Sequence, residues 1–495
     1  MCGIAGIFDF RGHSEIDRGL LRRMTDILYH RGPDGDGFHY APGIGLGHRR
    51  LAIVDLATGD QPLFNEDGTV CVVYNGEIYN FQPLMAELKA LGHVFRTRCD
   101  TEVIVHAWEE WGKACLDRFN GQFAFALWDA REERLFLARD RLGEKPLYYS
   151  LLSDGRLLFA SELKSLLLSP QLDRPLDPQA IEEFFAYGYI PDPRSIYLGV
   201  RKLAPAHCLL VRRGEPVPEP RSYWDVRFVG GTTAHKQEIE EELITRLRAS
   251  VRMRMIADVP LGAFLSGGVD SSGVVAMMAG LKPDPVSTFS IAFGAKGWDE
   301  SHYAAQIAER YRTDHHVKEV DPNSFDLLER LATIYDEPFG DSSAMPTFRV
   351  CAMARENVTV ALSGDGGDEV FAGYRRYPGT ALKSVCAAWC RKPCAVPCSG
   401  RSAHCIQNST GRHARCAPRR HWKSWRATRW KPIFRRCPFV VPNFGVGCSV
   451  ASSPANCRAT MPPTYCARIC ANATATTRCR RCSMPTSRRI FLATS

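Results

Sequence analysis

No aspartate or glutamate occurs after Glu369. All 54 acidic residues lie up to that position, while residues 370–495 hold 23 of the 63 Lys and Arg and 13 of the 19 cysteines. The overall charge of +9 therefore hides a front part at −14 and a tail at +23. A segment with one sign of charge and no apolar period cannot bury a core of its own. The tail also lacks regular Cys spacing: Cys386, Cys390, Cys394 and Cys398 are interrupted by Pro393 and Pro397. Zinc modules need paired ligands at defined distances, and Cys479-Arg480-Arg481-Cys482 is a single such pair. A basic nucleic-acid arm is the other competing reading. Abundant Arg, Cys, Pro, Ala, Ser and Thr without acids is what a GC-rich gene yields when read out of frame. A change of reading frame near Tyr377–Pro378 is expected, with 378–495 a disordered product of it. Any folded function must be sought before that point.

The front part has the composition of a soluble globular protein, and its length calls for two or three domains. It contains no apolar run near the roughly 18 residues a membrane helix needs. Met1-Cys2-Gly3-Ile4-Ala5-Gly6 has no basic stretch before its apolar one, so a signal peptide is not expected and a cytoplasmic enzyme is. Gly3–Phe10, Val70–Tyr74 (ending in Asn75-Gly76), Phe123–Leu127, Leu135–Ala138 and Leu157–Ala160 read as strands. Ile16, Leu20, Met24, Ile27 and Leu28 share a helical face. Asp100-Thr101-Glu102 reads as the cap of a helix over Val103–Trp111. Residues 211–236, rich in Pro, Gly and Arg, read as a linker. From about 237 the rhythm changes. Helix Glu238–Met255, strand Val259–Leu265, helix Ser271–Ala279, strand Val286–Phe293, helix Ser301–Tyr311, strand His316–Val320, helix Phe325–Tyr335 and strand Val358–Leu362 alternate. That pattern predicts a parallel sheet covered by helices.

Cys2 stands where removal of Met1 would expose an α-amine beside the thiol. Such an amine, with a pKa of about 7.7–8.0, can act as base for the nucleophile. A buried structural thiol is the plain alternative. Around it stand His30-Arg31-Gly32-Pro33-Asp34, Arg50-Leu51-Ala52-Ile53-Val54-Asp55, Asn75-Gly76-Glu77-Ile78-Tyr79-Asn80 and Asp100-Thr101-Glu102. In order and spacing these motifs resemble the glutaminase domain of class II glutamine amidotransferases. The resemblance implies an N-terminal-nucleophile αββα fold over 1–210. It implies that Cys2 attacks the side-chain amide of glutamine, and that the Asn75 amide and the Gly76 N–H hold the oxyanion. Glutamine binding would fall to Arg50, Leu51, Ala52, Ile53, Val54, Asn75, Gly76, Glu77 and Asp100. Arg50 would clamp the α-carboxylate and Asp100 the α-ammonium. The plain readings are a surface arginine and a helix cap.

Leu265-Ser266-Gly267-Gly268-Val269-Asp270-Ser271-Ser272 lies between a predicted strand and a predicted helix. Backbone N–H groups there can converge on phosphate oxygens. The segment resembles the pyrophosphate loop of ATP pyrophosphatases and is no Walker loop, since no Gly-Lys-Ser/Thr follows. Ser363-Gly364-Asp365-Gly366-Gly367-Asp368-Glu369 follows the last predicted strand, where open α/β sheets bind ligands. A solvated acidic turn is its plain reading. Across 1–376 the chain resembles the glutamine-hydrolysing asparagine synthetase family. Its wording is nearest to relatives that serve exosortase and surface-polysaccharide systems.

The resemblance implies a two-domain α/β protein, with a Rossmann-like ATP-binding domain over 237–377. ATP would be held by Leu265, Ser266, Gly267, Gly268, Asp270, Ser271, Phe293, Ser363 and Gly364. Mg²⁺, which takes oxygen ligands, would be held by Asp270 and Asp368. Asp365 would lie at the acceptor, where asparagine-forming relatives carry Glu. The implied reaction activates a carboxylate, aspartate or a related acid, by adenylation and transfers glutamine-derived ammonia to it. The implied partners are small molecules and a second copy in a homodimer, with no nucleic acid and no membrane span.

Overall fold

The computed structural model describes residues 1–374 apart from 229, 294–298 and 321–326, together with Tyr377 and two short strands beyond it. Met1–Val370 lie in one compact unit. Its first part contains β1 Gly3–Asp9, β2 Gly35–Ala41, β3 Ile44–Arg50, β4 Leu63–Phe64, β5 Val70–Ile78, β6 Gly121–Asp129, β7 Arg134–Arg139, β8 Tyr148–Leu151, β9 Arg156–Ala160, β10 Arg201–Lys202, β11 His207–Arg212 and β12 Arg221–Ser222. They form two six-stranded sheets, ordered β10-β8-β9-β1-β3-β2 and β12-β11-β7-β6-β5-β4. Every pairing within them is antiparallel.

The layering follows from the two-residue strand period. On β5, Cys71 and Val73 pack with Ile4 and Phe8 of β1 and with Trp128 of β6. Val70, Val72 and Tyr74, one residue out of phase, pack instead with Leu84, Leu88, Val103, Ile104 and Trp108. Those residues belong to helices Phe81–Ala90 and Thr101–Trp111. On β1, Ala5 and Ile7 turn to Leu20, Leu21 and Met24 of helix Arg18–Asp26. Both faces of both sheets are covered, so the strands read as continuous apolar runs, and the layers run helix–sheet–sheet–helix as expected.

Three stretches differ locally from expectation. The strand beginning at Val70 does not end before Asn75-Gly76 but carries both, because β5 pairs with β6 from Val70↔Asp129 to Ile78↔Gly121. Asp100 occupies the N-cap position of Thr101–Trp111 yet makes no side-chain capping bond. Its carboxylate is engaged elsewhere, as shown below. The stretch expected as a linker contains the end of β11 and all of β12, which pair as part of the second sheet.

Helix Lys236–Arg254 opens the second part. Strands β13 Leu261–Phe264, β14 Ser287–Phe293, β15 Asp314–Val320 and β16 Val360–Leu362 follow, all parallel, in the order β15-β14-β13-β16. Helices Val269–Ala279 and Ser301–Tyr311 supply Val275, Met278, Ala304 and Ala308 to one face of this sheet, with Val251. Met353 and Ala354 of helix Ala344–Arg355 meet Phe289 in a separate cluster. Helix Leu328–Tyr335 lies within the expected Phe325–Tyr335. Helices Phe81–Ala90, Pro178–Tyr187 and Ala344–Arg355 were not read from the sequence.

The two parts touch through polar contacts. Asp258 accepts from the Asp55 N–H at 2.8 Å and donates its own N–H to the Ile53 carbonyl at 2.9 Å. Asp336 pairs with Lys164 at 3.1 Å, and Glu337 with Lys202 at 2.7 Å. In the second compact unit, β17 Cys405–Gln407 and β18 His413–Arg415 pair antiparallel. The remainder of the expected tail lies outside the described residues. No helix among the described residues is long and apolar enough to cross a membrane.

Candidate functional site

Cys2 sits at the head of β1, beside the end of β3. Its sulfur accepts from the Leu51 N–H at 3.4 Å and faces the Leu51 carbonyl at 3.7 Å. Arg31 donates to the Cys2 carbonyl at 2.9 Å and to Glu162 at 2.8 Å. Burial pushes the thiol pKa up, while the α-amine, the Leu51 N–H and Arg31 pull it down. Burial holds the Met1 α-amine down at about 5.

On β5, Asn75 is fully buried and neither its amide nitrogen nor its amide oxygen has a hydrogen-bond partner. A buried amide without partners costs free energy, so it fits a group awaiting a ligand. Gly76 follows it. A side chain there would strike the Gln122 carbonyl at 2.2 Å, so the closeness of β5 to β6 demands glycine.

Arg50 ends β3 and is buried. It donates to Asp60 at 2.8 Å, the Leu56 carbonyl at 3.1 Å and the Asp55 carbonyl at 2.6 Å. These bonds fix the guanidinium and use three of its five N–H donors. Leu51, Ala52, Ile53 and Val54 form the half-buried loop that follows. Asp100 is buried and accepts from the Tyr74 hydroxyl and the Ile78 N–H, both at 2.8 Å. Burial raises its pKa despite those bonds. Burial and the Asp100 charge push Glu77 up to about 8. A half-buried carboxylate raised by the charge of its buried neighbour has the electrostatics of a site for a cation, such as an α-ammonium. Lys145, missed in the sequence, is buried with its amine 3.2 Å from the Met1 sulfur. Its segment, beginning Arg139-Asp140-Arg141-Leu142-Gly143, was the available signal.

The second constellation lies at the carboxyl ends of β13 and β16. In chain order the sheet reads third, second, first, fourth, so β13 and β16 flank the point where the order reverses. Ligands bind at such points. Gly267 has φ +79, and a side chain on it would come within 2.7 Å of the Ala304 N–H nitrogen. The Ser266 and Ser271 hydroxyls lie 2.9 Å apart, and the Gly268 N–H donates to Ser266 at 3.3 Å. Gly268 precedes helix Val269–Ala279, with no side chain capping it. The loop from β16 packs on this one. A Cβ on Gly364 would meet the Ser271 nitrogen at 2.6 Å, and one on Gly367 the Asp270 carboxyl carbon at 2.4 Å. Asp270 has a raised pKa, from burial first and then from the Asp368 and Glu369 charges. The close glycine contacts between the two loops and the acids around Asp270 suit a magnesium–phosphate group, whose ion Asp270 and Asp368 would hold.

The Ser363 hydroxyl donates to Asp365 at 2.9 Å, and Asp365 is exposed. The Leu265 side chain is buried in the core, its N–H donates to the Phe289 carbonyl at 2.9 Å and its carbonyl accepts from the Ser290 hydroxyl, so the structure holds it as a packing residue. Phe293 is half-buried at the end of β14.

A half-buried thiol at the head of an αββα layering, a buried unpartnered amide and a neighbouring pair of carboxylates are what a glutamine amidotransferase domain of the N-terminal-nucleophile class would need. Residues 1–224 match the model of a glutamine amidotransferase domain, and residues 242–438 that of asparagine synthase. The chain is 39% identical over 400 residues to "Putative asparagine synthetase (glutamine-hydrolyzing) 2" of Methanocaldococcus jannaschii, covering 76% of each chain. It is 34% identical over 380 residues to asparagine synthetase (glutamine-hydrolyzing) 1 of Bacillus subtilis, covering 76% of this chain but 59% of that protein. With asparagine synthetase (glutamine-hydrolyzing) 3 of the same organism the identity is 34% over 399 residues, covering 76% and 63%. The chain belongs to the glutamine-hydrolysing asparagine synthetase family. It spans about three fifths of the length of the two Bacillus relatives.

Proposed function

We propose that this chain is a glutamine-hydrolysing amidotransferase of the cytoplasm. Its first part releases ammonia from glutamine, and its second part uses ATP to activate a carboxylate for amide formation. The observation that carries the reading is the Asn75 amide, buried and unpartnered beside Gly76. Once Met1 is removed, the Cys2 amine takes the thiol proton and the sulfur attacks the glutamine amide carbon. Asn75 and the Gly76 N–H receive the oxyanion. The proton then goes to the leaving ammonia, and water releases glutamate from the thioester. Arg50, already fixed by its three bonds, takes the α-carboxylate. Asp100, with Glu77, takes the α-ammonium.

In the second part, Ser266 to Ser271 and Ser363-Gly364 hold the phosphates of ATP, a substrate. Mg²⁺, when bound by Asp270 and Asp368, neutralises charge on the departing pyrophosphate. Asp365 lies at the acceptor. Aspartate is the proposed acceptor, giving asparagine, AMP, pyrophosphate and glutamate. The shorter Asp365, in place of the Glu of asparagine-forming relatives, favours a second reading with a different, envelope-linked carboxylate. Incubating a frame-restored version of the protein with ATP, glutamine and candidate acids tests both. AMP and pyrophosphate formed in step with the amide support the route, whereas ADP and free phosphate overturn it.

The tail belongs to the same proposal. Loss of frame near Tyr377 is supported by the acid-free composition after Glu369. Ile239, Leu243, Ile244 and Leu247 are exposed along helix Lys236–Arg254, which suits a sheet lacking some of its expected cover.

A further inference from the structure

Away from both sites, the back of the second sheet carries a cluster of Glu66, His93, His106 and Glu109. One ligand atom from each lies within 4.8 Å of all the others. His106 and Glu109 stand one turn apart on helix Thr101–Trp111. Glu66 lies in the loop after β4, and His93 in the turn after helix Phe81–Ala90. The His106 side chain is 0% exposed, yet neither of its ring nitrogens has a hydrogen-bond partner. The Glu109 Oε2 is likewise buried without a hydrogen-bond partner.

The approaches between these atoms are long for hydrogen bonds and similar to one another. His93 Nδ1 lies 3.4 Å from a Glu66 oxygen and 3.9 Å from Glu109 Oε2. His106 Nδ1 lies 3.5 Å from the other Glu66 oxygen and 3.6 Å from Glu109 Oε2. An ion bound tetrahedrally at about 2.0–2.2 Å has ligand-to-ligand edges of about 3.3–3.6 Å. The four approaches, 3.4–3.9 Å, are close to those edges, and the full set of ligand atoms lies within 4.8 Å, so a small inward movement would close it on an ion.

The surrounding groups aim these atoms inward. Asn65 donates to Glu109 Oε1 at 2.7 Å, which leaves Oε2 turned to the centre. The Val94 N–H donates to Glu66 at 2.8 Å. Behind His106, its far nitrogen faces Glu102 at 3.6 Å. Glu102 is itself held by the Arg96 and Thr97 N–H groups at 2.8 and 2.7 Å. Behind His93, the far nitrogen faces Glu110, also at 3.6 Å. A carboxylate stands behind each imidazole, where the outer partner of a metal-binding histidine usually sits, although at 3.6 Å neither is within hydrogen-bond distance.

We propose that Glu66, His93, His106 and Glu109 form a structural zinc site in the amidotransferase domain. Two imidazoles and two carboxylates suit Zn²⁺, and four protein ligands leave no open position for chemistry. The ion fastens the β4 loop and the turn at His93 to the helix that begins directly after Asp100.

The test is metal binding by the full chain, stripped with chelator and reloaded with Zn²⁺ or Co²⁺, compared with His93→Gln and Glu110→Gln. The wild type should bind one equivalent more than His93→Gln. Its Co²⁺ difference spectrum should be tetrahedral and free of the sulfur-to-cobalt charge-transfer absorption that the cysteines beyond 385 would add. Glu110→Gln, which removes only an outer partner, should bind about 10–100-fold more weakly. Equal metal content and equal spectra in wild type and His93→Gln would overturn the proposal. The cluster would then be a protonated His106 among carboxylates. If His93→Gln fails to fold, an octahedral or thiolate-only Co²⁺ spectrum of the wild type overturns it alone.

Discussion

Three side chains carry the amidotransferase reading, and each invites its own measurement. Asn75 is a buried amide with no partner on either polar atom, so its removal should be felt mainly in the transition state. Asn75→Ala should lower the turnover of glutamine hydrolysis by about 10²–10³, and a loss of less than tenfold would show that its amide faces something else. On the proposed reading Arg50 holds a carboxylate that is present before and after the chemistry, so Arg50→Ala should chiefly raise the KM for glutamine. Glu77 gives a pH signature. Its folded pKa of about 8 lies above the ordinary 4.5. Between those values the folded chain keeps a proton that the unfolded chain has lost. Its contribution to stability is therefore full below 4.5 and is lost as pH rises through about 8. Glu77→Gln removes the penalty, so its melting temperature should gain on the wild type as pH rises across that window. A gap independent of pH would show that Glu77 titrates normally.

At the scale of elements, legibility followed burial. The strands of the first part were readable because both faces of each sheet are covered, as with Phe123 and Phe125 on one side of β6 and Ala124 and Ala126 on the other. Their ends were not readable, because Asn75 and Gly76 continue the ladder for reasons of pairing rather than polarity. Asp100 stands at the N-cap position that its sequence predicts, but the use of its carboxylate is not legible there, because its partners, Tyr74 and Ile78, come from a distant strand. The glycine loops were readable as motifs, but their mutual contact was not. That contact makes Gly367 sensitive. A Cβ there would sit 2.4 Å from the Asp270 carboxyl carbon, so Gly367→Ala should abolish ATP-dependent AMP formation while glutamate release continues. Normal AMP formation in a folded, frame-restored Gly367→Ala protein would remove the loop from the nucleotide site.

For the whole molecule, two questions are coupled. The first part has two sheets, helices on both outer faces and its own cores, whereas helix Lys236–Arg254 in the second part buries only Val251. Restoring the reading frame near Tyr377 should yield a sequence of ordinary acidic content and a protein that cleaves ATP, and the chain as given should lack that activity. Limited proteolysis should cut first beyond 377 and next within 225–235, whose described residues are exposed. A resistant fragment starting near 378 would show that the tail is a true domain. The central claim, a nucleophilic Cys2 that frees ammonia from glutamine, is tested most directly by glutamate release from the purified protein and its Cys2→Ala variant, with mass spectrometry confirming that Met1 is absent. The account predicts glutamate release by the parent protein and none above background by Cys2→Ala. Equal release by the two proteins would contradict it.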